Sequence, residues 1–320
     1  MSFENFIGQN SIKAFLEKSI KTPFHSYIFS GEKGLGKNTL ALIFAKHLIC
    51  ETGTSCGKCK SCRLFENSNH PDIKVIEKEE GKKEISIENI RDIIENIYLG
   101  PLISKKKVII IKNSEDLSIS AQNALLKTLE EPPEYVIFIL TTNNIEKILP
   151  TVISRSIILK FKKYSYDEIE KIIKQKGYDP KDYIIKVSNG NIGNAINYYN
   201  NQTNQLRDNV FDMINKYDKK PFDFIKEFET DFSKFEGNLK AFFEYIIFFY
   251  RDVIIYKLTE NINQIINTDK IDYINYFANR HTIHKLYKYI EDFIEIEKYI
   301  DSNVNHENIA DSIFLKLTGG

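Results

Sequence analysis

The sequence predicts an α/β domain with a parallel sheet and flanking helices, followed by an all-helical remainder. Three observations carry this. Short apolar runs, Ser26 to Ser30, Val108 to Ile111 and Tyr135 to Thr141, alternate with amphipathic segments up to Phe161, and strands covered on both faces of a parallel sheet read as such continuous runs. The first run feeds a glycine-rich stretch, G-E-K-G-L-G-K-N from Gly31 to Asn38, which opens the apolar-periodic segment Thr39 to Ile49. Backbone amides at such a strand–loop–helix junction can cradle phosphates. Beyond Phe161 the strand signal stops, and from about Leu206 onward Phe, Tyr and Ile recur at three-to-four spacing, the period of buried helices.

Taken in order, Phe3-Glu-Asn-Phe-Ile-Gly-Gln9 is a short lead-in to an amphipathic helix ending near Ile20. A strand over Ser26–Ser30, the glycine loop and a helix to about Ile49 follow. A cysteine cluster then interrupts. Asp72–Glu77 reads as a strand, Ser86–Tyr98 as a helix capped by Ser86, and Lys107–Ile111 as a buried strand. A helix fits Ser120 to Glu131, stopped by Pro132-Pro133, and Tyr135–Thr141 is the next strand. Ser165-Tyr-Asp-Glu168 is a capping box opening a helix to about Lys176. Pro180 to Tyr199 reads as two short helices around Gly190 and Gly193, and beyond Leu206 only Pro221 breaks the helical pattern. Boundaries near 161 and 204 divide the chain into 1–161, 162–204 and 205–320.

At 320 residues the chain has room for two or three domains. Lys plus Arg equals Asp plus Glu at 44 each, which argues against a globally basic nucleic-acid binder. Met1 to Phe6 shows no basic flank or long apolar core, so no secretory signal is expected. The longest apolar stretch, Ala241 to Lys257, is interrupted by Glu244, Arg251 and Asp252 and is too short and too charged to span a bilayer. A cytoplasmic protein is the expectation. In a reducing compartment, cysteines gathered between Cys50 and Cys62 suggest a metal before a disulfide.

Gly31, Gly36 and Lys37 stand where G-x-x-x-x-G-K-[ST] needs them, and Gly34 lets the backbone pass close. Position 38 should offer a small hydroxyl to magnesium; it is Asn38, with Thr39 one place too late. A hydrolytic site also needs an acidic pair at the end of a neighbouring strand. The exit of Val108–Ile111 reads Lys112-Asn113-Ser114-Glu115-Asp116, an amine and an amide where acids are wanted. Two like charges ~4 Å apart near a protein surface cost on the order of 4 kcal/mol, so Lys112 repels the metal. Glu115 and Asp116 are the alternative acids, but three or four residues further on they are expected to face solvent or cap the next turn.

The cysteines read C-x5-C-x2-C-x2-C, as Cys50, Cys56, Cys59 and Cys62. Two-residue spacers let thiolates of one turn converge on a tetrahedral zinc ion, and four protein ligands leave no open position, so the role is structural. An iron–sulfur cluster is the rival, although Arg63, not proline, follows Cys62. A redox C-x-x-C would leave two cysteines without a role. Lys105-Lys-Lys107 reads as a solvated turn, with a phosphate-backbone contact as the alternative. His281 and His284 share a helical face without ligand partners and read as surface or interface residues. Phe242, Phe243, Tyr245, Phe248 and Phe249 form an aromatic stripe read as a helix-bundle core.

Several strings resemble the clamp-loader branch of the AAA+ ATPases. They are V-I-I-I-K-N-S-E-D-L-S from Val108, S-A-Q-N-A-L-L-K-T-L-E-E-P-P-E from Ser120, F-I-L-T-T-N-N from Phe138, and L-P-T-V-I-S-R-S from Leu149. F-I-G-Q at Phe6–Gln9, the His25–Gly31 lead-in, Phe249–Val253 and Asn303–Ile309 are similar to further stretches of that family, so the resemblance covers essentially the whole chain. It implies an AAA+ module at 1–161 with a zinc module inserted at 50–62, a helical lid at 162–204 and a helical collar at 205–320. Active members carry Ser or Thr at 38, Asp-Glu at 112–113 and an arginine near Gly193. This chain departs at all of these places. The nucleotide positions Gly31, Gly34, Gly36, Lys37, Asn38, Thr39, Lys112, Asn113, Thr142 and Gly193 are therefore read as a degenerate, non-hydrolysing site.

One element is retained. Ser154-Arg155-Ser156 stands where the family has Ser-Arg-Cys, whose arginine projects into the ATP site of the adjacent subunit. The resemblance implies a subunit of the delta-prime type in the DNA polymerase III holoenzyme, with polymerase activity in other subunits. Its partners would be gamma/tau-type ATPase subunits and a delta-type subunit, acting on a sliding clamp and primed DNA. Two other readings stand beside it: an ATP-hydrolysing motor subunit, resting on Lys37 and the glycines, and a zinc-dependent DNA-binding adaptor, opposed by the neutral charge.

Overall fold

The apolar runs pair side by side. In the computed structural model, which describes residues 2–200, 203–218, 220, 222–235, 237–298 and 306–318, β1 (Ser26–Ser30), β2 (Ile73–Ile76), β3 (Lys107–Ile111), β4 (Val136–Thr142) and β5 (Ile157–Lys160) form one sheet. All pairings are parallel and the order is β2-β3-β4-β1-β5. Every residue of β4 is buried, as expected for a central strand covered by helices on both sides. Register places Phe138 beside Ser26 and Ile109, and Leu140 beside Ile28 and Ile111.

Alternation along the strands builds two cores. Ile28, Ile109, Ile111, Phe138 and Leu140 pack with Ile90, Ile93 and Ile97 of α4 (Ile87–Ile97) and with Ala121, Leu125 and Leu129 of α5 (Ile119–Glu130). On the other face α2 (Lys37–Ile49) lies against β3 and β4. It is buried nearly all round, which a helix between a sheet and a second layer must be. Tyr27 of β1 meets Phe44 of α2 edge-on.

Local signals set the ends. Ser86 caps α4 by accepting from the Asn89 amide, and Ser118 caps α5 from the Ala121 amide. Ser165 and Glu168 make the reciprocal capping box of α7 (Tyr166–Gln175), at 2.8 and 3.3 Å. The lead-in is stapled down: Gln9 Nε2 donates to the Lys162 carbonyl (2.6 Å) and Gln9 Oε1 accepts from the Lys162 amide (3.1 Å).

The chain separates into two compact units, Met1–Gln175 with Gly190–Asn194, and Lys176–Asn189 with Ala195–Gly320. The segment expected as a lid is thus shared: α7 falls in the first unit, α8 (Asp182–Val187) in the second, and α9 (Ile192–Asn200) begins in the first and ends in the second.

Among its described residues the second unit is helical, built around α12 (Leu239–Thr259), with α10 (Thr203–Tyr217), α13 (Ile271–Arg280) and α14 (Ile283–Glu297) packed on it. Phe242, Phe243, Tyr245 and Phe249 are buried there, and Phe248 is half-buried. Asp252, fully buried, accepts from the Ile266 and Asn267 amides (3.0 and 2.7 Å) and so fixes the turn after α12.

Two expectations change here. Pro221 itself lies outside the described residues, between a helix that ends at Tyr217 and one that starts at Ile225, and among the described residues the helical pattern is broken again at 260–270 and at His281-Thr282. His281 is not at the surface: it is 3% exposed, ends α13, stacks on Phe277 and lies 3.0 Å from buried Asp218.

Candidate functional site

The glycine loop leaves β1 at its carboxyl end, where β1 lies between β4 and β5 and the strand order reverses, the place where open α/β sheets hold ligands. Gly34 and Gly36 sit at φ 91° and 80°, conformations glycine adopts without a Cβ penalty. The loop is not open. Lys37 Nζ donates to the Gly31 and Glu32 carbonyls (2.7 Å each) and to Asn143 Oδ1 (2.9 Å), so the amine is turned into its own loop. Lys37 is 5% exposed. Burial lowers it to about 8, against the pull of Glu115 and Glu32.

Asn38 is likewise committed to structure, its Oδ1 accepting from Thr141 Oγ1 (2.7 Å). Thr39 is exposed, and Thr142 is buried with its hydroxyl on the Asn144 carbonyl. Lys112 turns away to pair with Glu77 (2.8 Å). Asn113 donates its amide to Thr141 Oγ1 (3.2 Å) and takes a left-handed φ of 48°. Glu115 differs from expectation. It is half-buried and accepts from the Asn143 amide (3.1 Å) and side chain, so it reaches back over the loop instead of facing solvent. Asp116 pairs with Lys78 (3.2 Å).

A second device closes the loop's outer edge. The Gly193 amide donates to the Gly34 carbonyl (3.0 Å), and Asn191 Nδ2 donates to the Lys33 carbonyl (2.6 Å). The fit requires two glycines: a Cβ at Gly193 would lie 2.7 Å from Gly34 Cα, and one at Gly34 would lie 2.2 Å from Asn191 Oδ1. Asn143, Glu115 and Asn191 thus belong to the site; sequence reasoning missed Asn143 and Asn191 and set Glu115 aside as solvent-facing. Only the N-N of F-I-L-T-T-N-N and the N-G-N-I-G string offered a signal.

The four cysteines converge. Their sulfurs all lie within 4.8 Å of one another, and none is in a disulfide. Four thiolates on zinc at about 2.3 Å in a tetrahedron would stand roughly 3.8 Å apart, so the donor set fits a zinc-sized ion. Cys50 ends α2, and Cys59 caps α3 (Lys60–Glu66) by accepting from the Cys62 amide (3.4 Å). Backbone amides also donate to Cys50 and Cys56 Sγ, at 3.4 Å each. Burial pushes the Cys62 thiol up to about 12. Burial also opposes ionisation of Cys50, but Thr52 and the Cys56 amide bring it down to about 5. Buried Lys46 of α2 pairs with Glu66 of α3 (2.8 Å), tying the cysteine segment to the sheet-packed helix.

Arg155 follows α6 (Pro150–Ile153), at the opposite flank of the sheet from the cysteines' exit into β2. Its Nη1 donates to the Thr151 carbonyl (2.9 Å) and Ser154 Oγ (3.3 Å), and its Nη2 donates to Glu130 Oε1 (2.5 Å). Ser156 anchors the backbone beside it, with its hydroxyl on the Val152 carbonyl (2.9 Å) and 2.7 Å from Ser26 Oγ. Buried Gln122 of α5 holds the approach to α6, donating to the Lys147 carbonyl and accepting from the Leu149 amide.

Two family models described as the DNA polymerase III delta subunit match the chain, one over residues 8–165 and a C-terminal one over residues 201–311. The DNA polymerase III delta-prime subunit of Bacillus subtilis is 27% identical over 303 residues, covering 92% of this chain and 91% of its own. The chain belongs to the delta-prime type of DNA polymerase III clamp-loader subunits. Other relatives of this clamp-loader family are similar over shorter spans. The gamma subunit of Buchnera aphidicola (from Acyrthosiphon pisum) is 34% identical over 61% of this chain, and the tau subunit of Bacillus subtilis is 39% identical over 52%. The chain spans 57% and 30% of the length of these two relatives. Among the described residues no helix is long and apolar enough to cross a membrane.

Proposed function

We propose that this delta-prime-type subunit is a non-hydrolysing member of a cytoplasmic clamp loader that lends Arg155 to a neighbouring ATP site. The observation that carries the first half is Lys37, whose three donor bonds go to its own loop and to Asn143. Asn38 is held by Thr141, Lys112 is paired to Glu77 and the Glu115 carboxylate is taken up by Asn143, so the usual magnesium-ligand positions are engaged within the protein. The second half rests on Ser154-Arg155-Ser156, a partly exposed arginine on an anchored backbone. The division of labour we infer is an AAA+ module at 1–161, a lid at 162–204 and a collar at 205–320. Gamma/tau-type and delta-type subunits would be its neighbours, and a sliding clamp and primed DNA the object of the assembly.

Cys50, Cys56, Cys59 and Cys62 would hold a structural zinc ion, which would cross-link the end of α2 to α3. These thiols carry no step of the reaction.

A second reading, an ATP-hydrolysing motor, is favoured by the retained glycines and by the gamma and tau relatives. One experiment separates the two. Phosphate release from ATP with magnesium is expected to be at background for the isolated protein, while Arg155→Ala in the reconstituted loader lowers DNA-dependent ATPase by about a thousandfold at the affected site. Turnover by the isolated chain would establish the motor reading, and full activity of the Arg155→Ala loader would remove the trans role.

A further inference from the structure

We propose that Glu130 is a same-chain latch for Arg155: it holds the guanidinium in the free subunit and yields it to a phosphate group bound by the neighbour. This rests on the trans role of Arg155.

Glu130 is the last residue of α5 and is followed by Glu131 and two prolines. A carboxylate at the negative end of a helix dipole is unfavourable to the helix, so α5 itself does not account for the residue. The contact that does is the ion pair to Arg155 Nη2, with the two side chains 50% and 34% exposed.

The partner exchange needs no backbone motion. Ser154 and Arg155 amides are bonded to the Pro150 and Val152 carbonyls, and Ser156 is pinned at two points. What turns is the arginine side chain, which must give up the Thr151 carbonyl and Ser154 Oγ along with Glu130 Oε1. A guanidinium N–H donates to a carboxylate or a phosphate oxygen alike, and here only Nη2 is committed to the carboxylate. The more highly charged phosphate displaces the carboxylate when a neighbour presents it, and an exposed pair is weak enough to be released.

The test is ATP turnover by the reconstituted loader carrying Glu130→Gln, Glu130→Asp, Arg155→Ala or Glu130→Gln with Arg155→Ala, with circular dichroism confirming the fold of each subunit. Glutamine keeps the shape and the acceptor but not the charge. Glu130→Gln is expected to raise kcat/KM roughly two- to fivefold at low salt, the worth of an exposed pair. The gain should shrink toward unity as salt rises, Glu130→Asp should stay at the wild-type rate, and the gain should vanish in the Arg155→Ala background. A Glu130→Gln loader at or below wild-type activity, with Arg155→Ala inactive, overturns the latch and leaves the finger standing. Full activity of Arg155→Ala overturns both.

Discussion

Lys37 carries its charge into a loop nearly closed to water, and burial lowers it to about 8 against an ordinary value near 10.5. Between those two values the unfolded chain keeps the proton and the folded loop releases it, so the unfolded state binds more protons and stability rises with pH. Below pH 8 both states are protonated and the penalty stands in full; above 10.5 it is gone. The span is at most about 3 kcal/mol. Urea midpoints followed from pH 7.5 to 10.5 should show this rise, and Lys37→Met should lack it.

Gly193 makes a separate prediction at the same scale. Adding one methyl there drives it to 2.7 Å from Gly34 Cα, so Gly193→Ala should lower stability by about 1–3 kcal/mol, read as a drop in Tm. Lys37 and the glycines were legible because the phosphate-loop pattern is local in sequence. Asn143 and Asn191 were not, because their contacts with the loop span 106 and 158 positions and carry no periodic signature, and Glu115 was set aside because its bond to Asn143 spans 28 positions. Arg155 was legible only through its neighbours, and its partner Glu130 lies 25 positions away on another element.

Short elements hold the longer ones in register. β5, α3 and α6 have four, seven and four residues, less than the length over which a period can be counted, and the sequence reading named none of them. The long runs of β3 and β4 and the capped helices α4 and α5 were readable because each spans several turns or a full apolar strand.

The cysteine segment shows how a short element is maintained. The buried residues of α3 are Ser61 and Cys62, neither a large apolar side chain, and its other ties to α2 are Lys46–Glu66 and the Lys46–Phe65 contact, so the metal should hold it. One zinc per chain is expected by metal analysis. Chelation in the presence of a thiol-blocking reagent should expose amides 50–66 to hydrogen exchange while β3 and β4 remain protected. In α12, Asp252→Ala would leave the half-buried Ile266 amide and the buried Asn267 amide without an acceptor, and a loss of about 1–3 kcal/mol, measured by urea titration, is expected.

Across the molecule, 44 acidic and 44 basic residues cancel. Binding to DNA by release of counterions needs a basic face, so the isolated subunit should show only weak, salt-labile affinity for primed DNA by fluorescence anisotropy. Any tight binding should require its neighbours. The α/β-then-helical plan was readable because composition changes at Phe161. The two compact units were less so: residues 190–194 belong with the sheet through contacts to Gly34 and Tyr164, which a linear boundary near 161 or 204 does not express. His281 was misread for the same reason, since its burial against Asp218 spans distant sequence.

The contact between Gly34 and Gly193 also couples two distant positions of the chain. Thr at 38, Asp at 112 and Glu at 113 would bring side chains of the kind that hold magnesium but would leave the bonds of Lys37 and Gly193 to the loop in place. An arginine at 193 would break the backbone fit whatever stands at the other three positions, because a Cβ there has no room beside Gly34. Position 193 therefore sets the shape of the loop before any ligand reaches it.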